Sequence, residues 1–267
     1  MQVLSLAFDI ILAGYVAWEV ARMVPRYRQL KQAVAAGDTG ARTRMYYHAL
    51  TFEWVSALLA LIALGFNWTK LNPRFLSLAG NALIRPFSSG GDLDRGMITG
   101  LAVDLVGGTI GFIVARLRAN RRGVQPAADA PARWWRKLLP DFTALIPVTA
   151  RERLLWSAAA ISAGVCEETV FRGWLLAILH SRVGLGGTAL VLTAAAIFGL
   201  AHTYQGITGV VLTAIAGILF CVLYVVTGSL LVPIVLHSLV DLRFAFLPAP
   251  RVRKPEAVYA LSAAPEL

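Results

Sequence analysis

The chain has 267 residues and carries 25 Lys and Arg against 15 Asp and Glu, a net charge of +10. At 57% hydrophobic residues, 15% charged residues and a mean hydropathy of +0.65, it is too apolar for an ordinary soluble domain, in which about 25% of residues are charged. The basic balance does not argue for nucleic acid, because the positive residues flank long apolar stretches, as cytoplasmic loops of membrane proteins do.

In chain order, the apolar stretches predict spans at Val3–Met23, Ala49–Trp68, Met97–Ala115, Leu154–Leu179, Thr188–Gly206, Ile207–Val226 and Leu230–Leu247. Each comes near the length needed to cross a hydrocarbon core of about 30 Å at about 1.5 Å per residue. The expected fold is all-α, a polytopic transmembrane helix bundle of about seven spans with interfacial helices. The first apolar segment has its positive charges behind it, at Arg26, Arg28 and Lys31, which reads as an uncleaved span with its N-terminus outside. With that first connection, basic residues at Arg116–Lys137 and at Arg251, Arg253 and Lys254 then place the third connection and the C-terminal tail in the cytoplasm, most simply at a bacterial cytoplasmic membrane. The second connection, with Lys70, Arg74, Arg85 and Arg95, fits this scheme poorly. Its stretch Leu71–Phe87 is expected along the interface.

Gly123–Ala132 is rich in Ala, Pro and Gln and reads as a linker. The tryptophans and basic residues of Trp134–Pro147 predict a segment at the membrane surface. The chain thus divides into an N-terminal three-span region (1–122), a linker and interfacial segment (123–153), a four-span core (154–247) and a tail (248–267).

Ionisable groups inside spans are costly, about 2.5–3.5 kcal/mol each on insertion scales, so they need a reason. Asp9, Glu19, Glu53 and Asp104 stand singly in the N-terminal region, with no obvious partner at helical spacing, and read as structural. The core differs. Glu168 and Arg172 are four residues apart, share a helix face and can pair. Glu167 points about 100° away and has no such partner. A poorly solvated carboxylate is a better general base. His237 and Asp241 are again four apart, which lets the carboxylate orient the imidazole, while His202 has no partner in its own helix. The two cysteines, Cys166 and Cys221, lie in apolar segments and read as buried thiols.

At these residues the sequence resembles the CAAX-protease and bacteriocin-processing family of intramembrane glutamic endopeptidases. The motifs are Glu167-Glu168-x-x-x-Arg172, Phe198-x-x-x-His202 and His237-x-x-x-Asp241, in order over about Leu154–Leu247. The resemblance implies hydrolysis of a peptide bond in a membrane-embedded or lipidated substrate. Glu167 would activate water and His202 would help to position it. His237 and Asp241 would line the oxyanion side, and Glu168, Arg172 and Phe198 would support them. Asp241 stands where the eukaryotic prenyl-protein peptidases have Asn. An ionised Asp cannot donate to an oxyanion, so His237 becomes the expected donor.

No cofactor is expected. Zinc is the lesser alternative, weakened by the lack of a His-Glu-x-x-His pair on one helix face and by the charge of Arg172. Two other functions remain open: a non-catalytic membrane immunity or interaction protein of the same fold, and a proton or cation carrier. Counted from the bilayer faces, Glu167 lies about 20 Å from the cytoplasmic side, and His202 misses its depth by about 10 Å. Tilt, or a helix that starts below the bilayer, would close that gap.

Overall fold

The computed structural model describes residues 2–66 and 142–247, with isolated helical positions between 107 and 118. Most of the expected third span, the linker, the interfacial stretch 71–87, most of 134–147, Asp104 and the tail lie outside the described residues. Among those residues every regular element is helical. Helix α1 is Gln2–Ala35 and α2 is Ala41–Phe66. Helix α3 begins as Ala150–Glu168, widens into a π-helical segment at Thr169–Leu175 and ends as Leu176–Ser181. Helices α4 (Gly187–Ala201), α5 (Gly206–Thr227) and α6 (Leu231–Leu242) follow.

Four of these helices, α1, α2, α3 and α5, are long and apolar enough to cross a membrane. Their outward faces carry exposed Ile10, Trp54, Leu58, Ile207 and Ile215, whereas Glu168 and Arg172 are buried. Apolar outside with ions inside is the arrangement of an integral membrane protein. The other two helices differ from expectation. At 15 and 12 residues, α4 and α6 reach only about 22 and 18 Å. The apolar run that predicted a span over 188–206 ends as a helix at Ala201, turns through a short 3-10 segment at Thr203–Gln205 and restarts at Gly206. Mean hydropathy measures the length of an apolar run and does not register a turn within it.

The start of α3 also differs. Thr149 accepts a hydrogen bond from the Glu152 backbone N–H at 3.2 Å, and Glu152 accepts from the Thr149 N–H at 3.0 Å. This reciprocal cap satisfies two donors that a helix start would otherwise leave free. It fixes the first turn at Ala150, four residues before the expected span. Helix α2 holds the same region: Arg42 Nε donates to the Ala144 carbonyl at 2.9 Å, and the Tyr46 hydroxyl donates to the Leu145 carbonyl at 2.7 Å.

Helix α3 packs on α2 and α6, α4 packs on α5, and α1 packs on α2. Two close approaches depend on glycine. A Cβ on Gly164 of α3 would stand 2.1 Å from the Ser238 Oγ and 2.8 Å from the Ile234 carbonyl of α6. One on Gly199 of α4 would stand 2.7 Å from the Val210 carbonyl of α5. Small residues let membrane helices meet backbone to backbone, where dispersion replaces the missing hydrophobic drive.

The N-terminal acids have partners distant in sequence. Asp9 accepts from the Trp174 indole at 2.9 Å and from Arg182 Nε at 2.8 Å, and Arg182 Nη2 also donates to the Ser5 hydroxyl at 2.7 Å. Glu19 pairs with Arg26 and lies 3.1 Å from His48 Nε2. These contacts fasten α1 to α2 and to the far end of α3.

Candidate active site

The three motifs converge at one place. The reason lies in the hairpin formed by α3 and α4. Glu167 is 14 residues before Ser181, and His202 is 15 residues beyond Gly187. Counted from their shared turn, both lie about 21–22 Å down antiparallel helices, at one level. The depth mismatch came from counting inward from opposite bilayer faces. As one rod, α3 runs 32 residues, or about 48 Å, and so extends well past a core of about 30 Å. The resulting distance from Glu167 Oε2 to His202 Nε2 is 3.9 Å, and to His237 Nε2 it is also 3.9 Å.

His202 caps the C-terminus of α4. The last carbonyls of a helix lack intrahelical donors, and His202 Nδ1 lies 2.9 Å from the Phe198 carbonyl. A carbonyl only accepts, so Nδ1 carries the proton and the Nε2 of a neutral ring is left as an acceptor facing Glu167. The expectation that His202 has no partner in its own helix is therefore corrected, since the partner is backbone. Four-residue spacing between Phe198 and His202 suits this bond, and Phe198 itself is buried as a wall. Its ring meets His202 at 4.9 Å and His237 at 6.1 Å edge-on, with the Arg172 guanidinium 4.3 Å above it.

His237 is held differently from the sequence reading. Its Nδ1 lies 2.8 Å from Glu168 Oε1, while Nε2 lies 3.5 Å from Asp241 Oδ2. The shorter contact sets the ring, so Glu168 on α3, and not Asp241 one turn along α6, is the orienting carboxylate. Helical spacing alone could not show a partner on another helix. Glu168 Oε1 also accepts from Arg172 Nη1 at 2.9 Å, and Arg172 Nη2 donates to the Gly217 carbonyl at 3.3 Å. With Glu168 and Arg172 at 0% and 1% side-chain exposure, this triad joins α3, α5 and α6 through charge-assisted bonds in a dry interior. Phe220 of α5 stacks on His237 at 5.2 Å.

The π-helical segment follows Glu168 directly and contains Arg172. Such widened turns concentrate at functional sites. Thr169 adds a hydroxyl bond back to the Val165 carbonyl at 2.7 Å.

These groups face a cavity of about 280 Å³. Glu167, His202, His237 and Asp241 line it, together with Tyr204, Gln205 and small or apolar residues such as Ala160 and Ala216. Glu168 and Arg172 stand behind this lining. Cys166 borders only a smaller neighbouring cleft, not the main cavity. Glu53 of α2 lines both. Sequence reading assigned it a structural role, and no spacing rule connects α2 to α3. Among the described residues, no group of three His, Cys, Asp or Glu side chains is arranged to hold a metal ion.

Residues 149–243 match the family model described as Rce1-like, type II CAAX prenyl endopeptidase. The match covers the reciprocal cap, all three motifs and helices α3 to α6. No curated protein and no solved structure matches the chain.

Proposed function

We propose that this Rce1-like domain hydrolyses a peptide bond of a membrane-embedded or lipidated substrate, with Glu167 as the base that activates water. One observation carries the reading: Glu167 Oε2 is buried and unpartnered, 3.9 Å from the Nε2 atoms of two histidines held by other groups. A separation beyond about 3.5 Å between polar atoms leaves a place for a bridging water. There, water donates one hydrogen to Glu167 and the other to His202 Nε2, and its oxygen lone pair faces the substrate carbonyl. As attack proceeds, the water proton passes to Glu167 and negative charge collects on the carbonyl oxygen. His237 is the donor for that oxygen. Its Nδ1–H is engaged by Glu168, so donation from Nε2 requires the imidazolium, and the carboxylates of Glu168, Glu167 and Asp241 lie 2.8–3.9 Å from that ring. Asp241 supports that charge and donates nothing itself.

The family description points to peptides that carry a prenylated cysteine near their C-terminus, and the apolar cavity wall suits such a substrate. The test uses purified protein in liposomes with an S-prenylated peptide as probe, and mass spectrometry of peptides from membranes that contain wild-type or variant protein. Glu167→Gln and His202→Ala are expected to abolish cleavage while folding is retained. Full activity in Glu167→Gln would instead favour a binding role for the same fold. The proposed reaction uses no metal, so dialysis against a chelator should leave turnover unchanged, and stoichiometric zinc whose removal stops cleavage would overturn that part.

A further inference from the structure

Hydrolysis of an amide needs two proton movements. One removes a proton from water, and the other gives a proton to the departing nitrogen. The Glu167 reading supplies the first. Glu53 is suited to the second. It projects from α2, is 8% exposed, and lines both the main cavity and the adjacent cleft with Glu167. Its Oε2 is buried with no hydrogen-bond partner, as are Glu167 Oε2 and the Oε2 of Glu168, which stands behind the cavity lining. Asp9, Glu19, Glu152 and Glu168, the other buried acids of the described spans, each have an Arg partner. Glu53 has none among the described residues.

We infer that Glu53 is the second acid of the site, a carboxyl that shares one proton with Glu167 across the cavity and gives it to the leaving amine. The inference rests on the assignment of Glu167 as base. Two carboxyls that face one cavity between packed helices resist being ionised together, and a single shared proton is the stable arrangement. The other charged or titratable groups facing that space are His202, His237, Asp241, Arg243 and Tyr204. The histidines are engaged as described above.

The steps balance. Water adds to the carbonyl carbon, its proton passes to Glu167, and the carbonyl electron pair moves to oxygen. The C–N bond then breaks as the oxyanion pair returns, and the Glu53 proton goes to nitrogen. The products are a carboxylic acid and an amine. The pair still holds one proton, now on Glu167, and one transfer to Glu53 restores the resting state.

The experiment compares an S-prenylated peptide with its analogue in which the scissile amide is a thioester. A thiol with a pKa of about 8.5 leaves as its anion and needs no acid. Glu53→Gln is expected to slow amide cleavage about 10²- to 10⁴-fold and to leave thioester cleavage unchanged. Glu167→Gln should stop both. Equal loss on both substrates, or no loss on the amide, overturns the role of Glu53. Survival of amide cleavage in Glu167→Gln instead overturns the base assignment. A measurement independent of substrate stands beside this. The infrared spectrum of the wild-type protein at neutral pH should contain a protonated-carboxyl band that Glu53→Gln removes and Glu53→Asp, which keeps the acid, retains. A wild-type spectrum with no such band removes the proposal, whatever the substrate proves to be.

Discussion

Helix α3 meets one buried polar cluster near its C-terminus and another near its middle, and the two are finished differently. Near its C-terminus, Asp9, Trp174, Arg182 and Ser5 satisfy one another with bonds of 2.6–2.9 Å. Near its middle, Glu167, Glu168 and Glu53 each keep a buried oxygen with no partner. Both clusters are costly in a bilayer. The first recovers its cost by fastening α1 to α3. The second leaves part of its cost uncovered, which evolution tolerates where the open valence is used. Unsatisfied polar atoms, more than the presence of charge, separate a site from a fastening.

Substitutions can test that contrast. The largest effect is expected from Glu167→Gln, a loss of about 10³-fold or more in turnover, as for the removal of an essential base. Its melting temperature should stay near wild type, because no hydrogen bond to Oε2 is lost. A large drop in melting temperature would show that Glu167 is structural after all. Glu168→Ala reverses the pattern. It strands Arg172 and frees His237, and should cost about 3–5 kcal/mol of stability, as does breaking other buried pairs. Denaturant titration of the purified protein in micelles measures this. Gly164→Ala should come next, at about 1–3 kcal/mol, as overpacking forces α3 and α6 apart. Turnover should fall with it, because the Glu168–His237 bond spans that contact. Asp9→Asn should cost about 1–3 kcal/mol through the weakened Arg182 contact while leaving the turnover of the folded protein intact. A fall in turnover matching that of Glu167→Gln would erase the distinction between the two clusters.

The smallest effect belongs to Asp38, in the connection between α1 and α2. Arg44 and the Gly40 N–H hold its carboxyl below the usual carboxylate range. A depressed carboxylate stabilises the fold above its ordinary pKa and loses that contribution as pH falls through the lowered value. Asp38 is exposed, so solvent screens the pair. Asp38→Asn should therefore leave the melting temperature at neutral pH almost unchanged and slightly flatten its decline in acid. A marked loss at neutral pH would show that the connection matters more than its exposure suggests.

Much of the candidate site was legible because its residues lie in short motifs whose helical spacing has physical meaning. Glu168 and Arg172 do meet, and Glu167 does face away from that pair. The start of α3 was also available, since Thr149-x-x-Glu152 is a capping signature, and reading it would have moved the helix start to Ala150. Other features had no local signal. Glu168 reaches His237 across 69 residues, Phe220 stacks on that ring from α5, and Glu53 enters the cavity from a helix with no readable motif.

The sequence by itself determined that this is an all-helical membrane protein whose C-terminal half concentrates buried charge in three motifs. Hydropathy and four-residue spacing are properties of a chain segment and its solvent, so they need no fold. Tertiary structure decided which groups are at one depth, which carboxylate holds which imidazole, and which oxygens are left without partners. Those facts depend on where helices turn and how closely they approach, and these are set by contacts between residues that the chain keeps far apart.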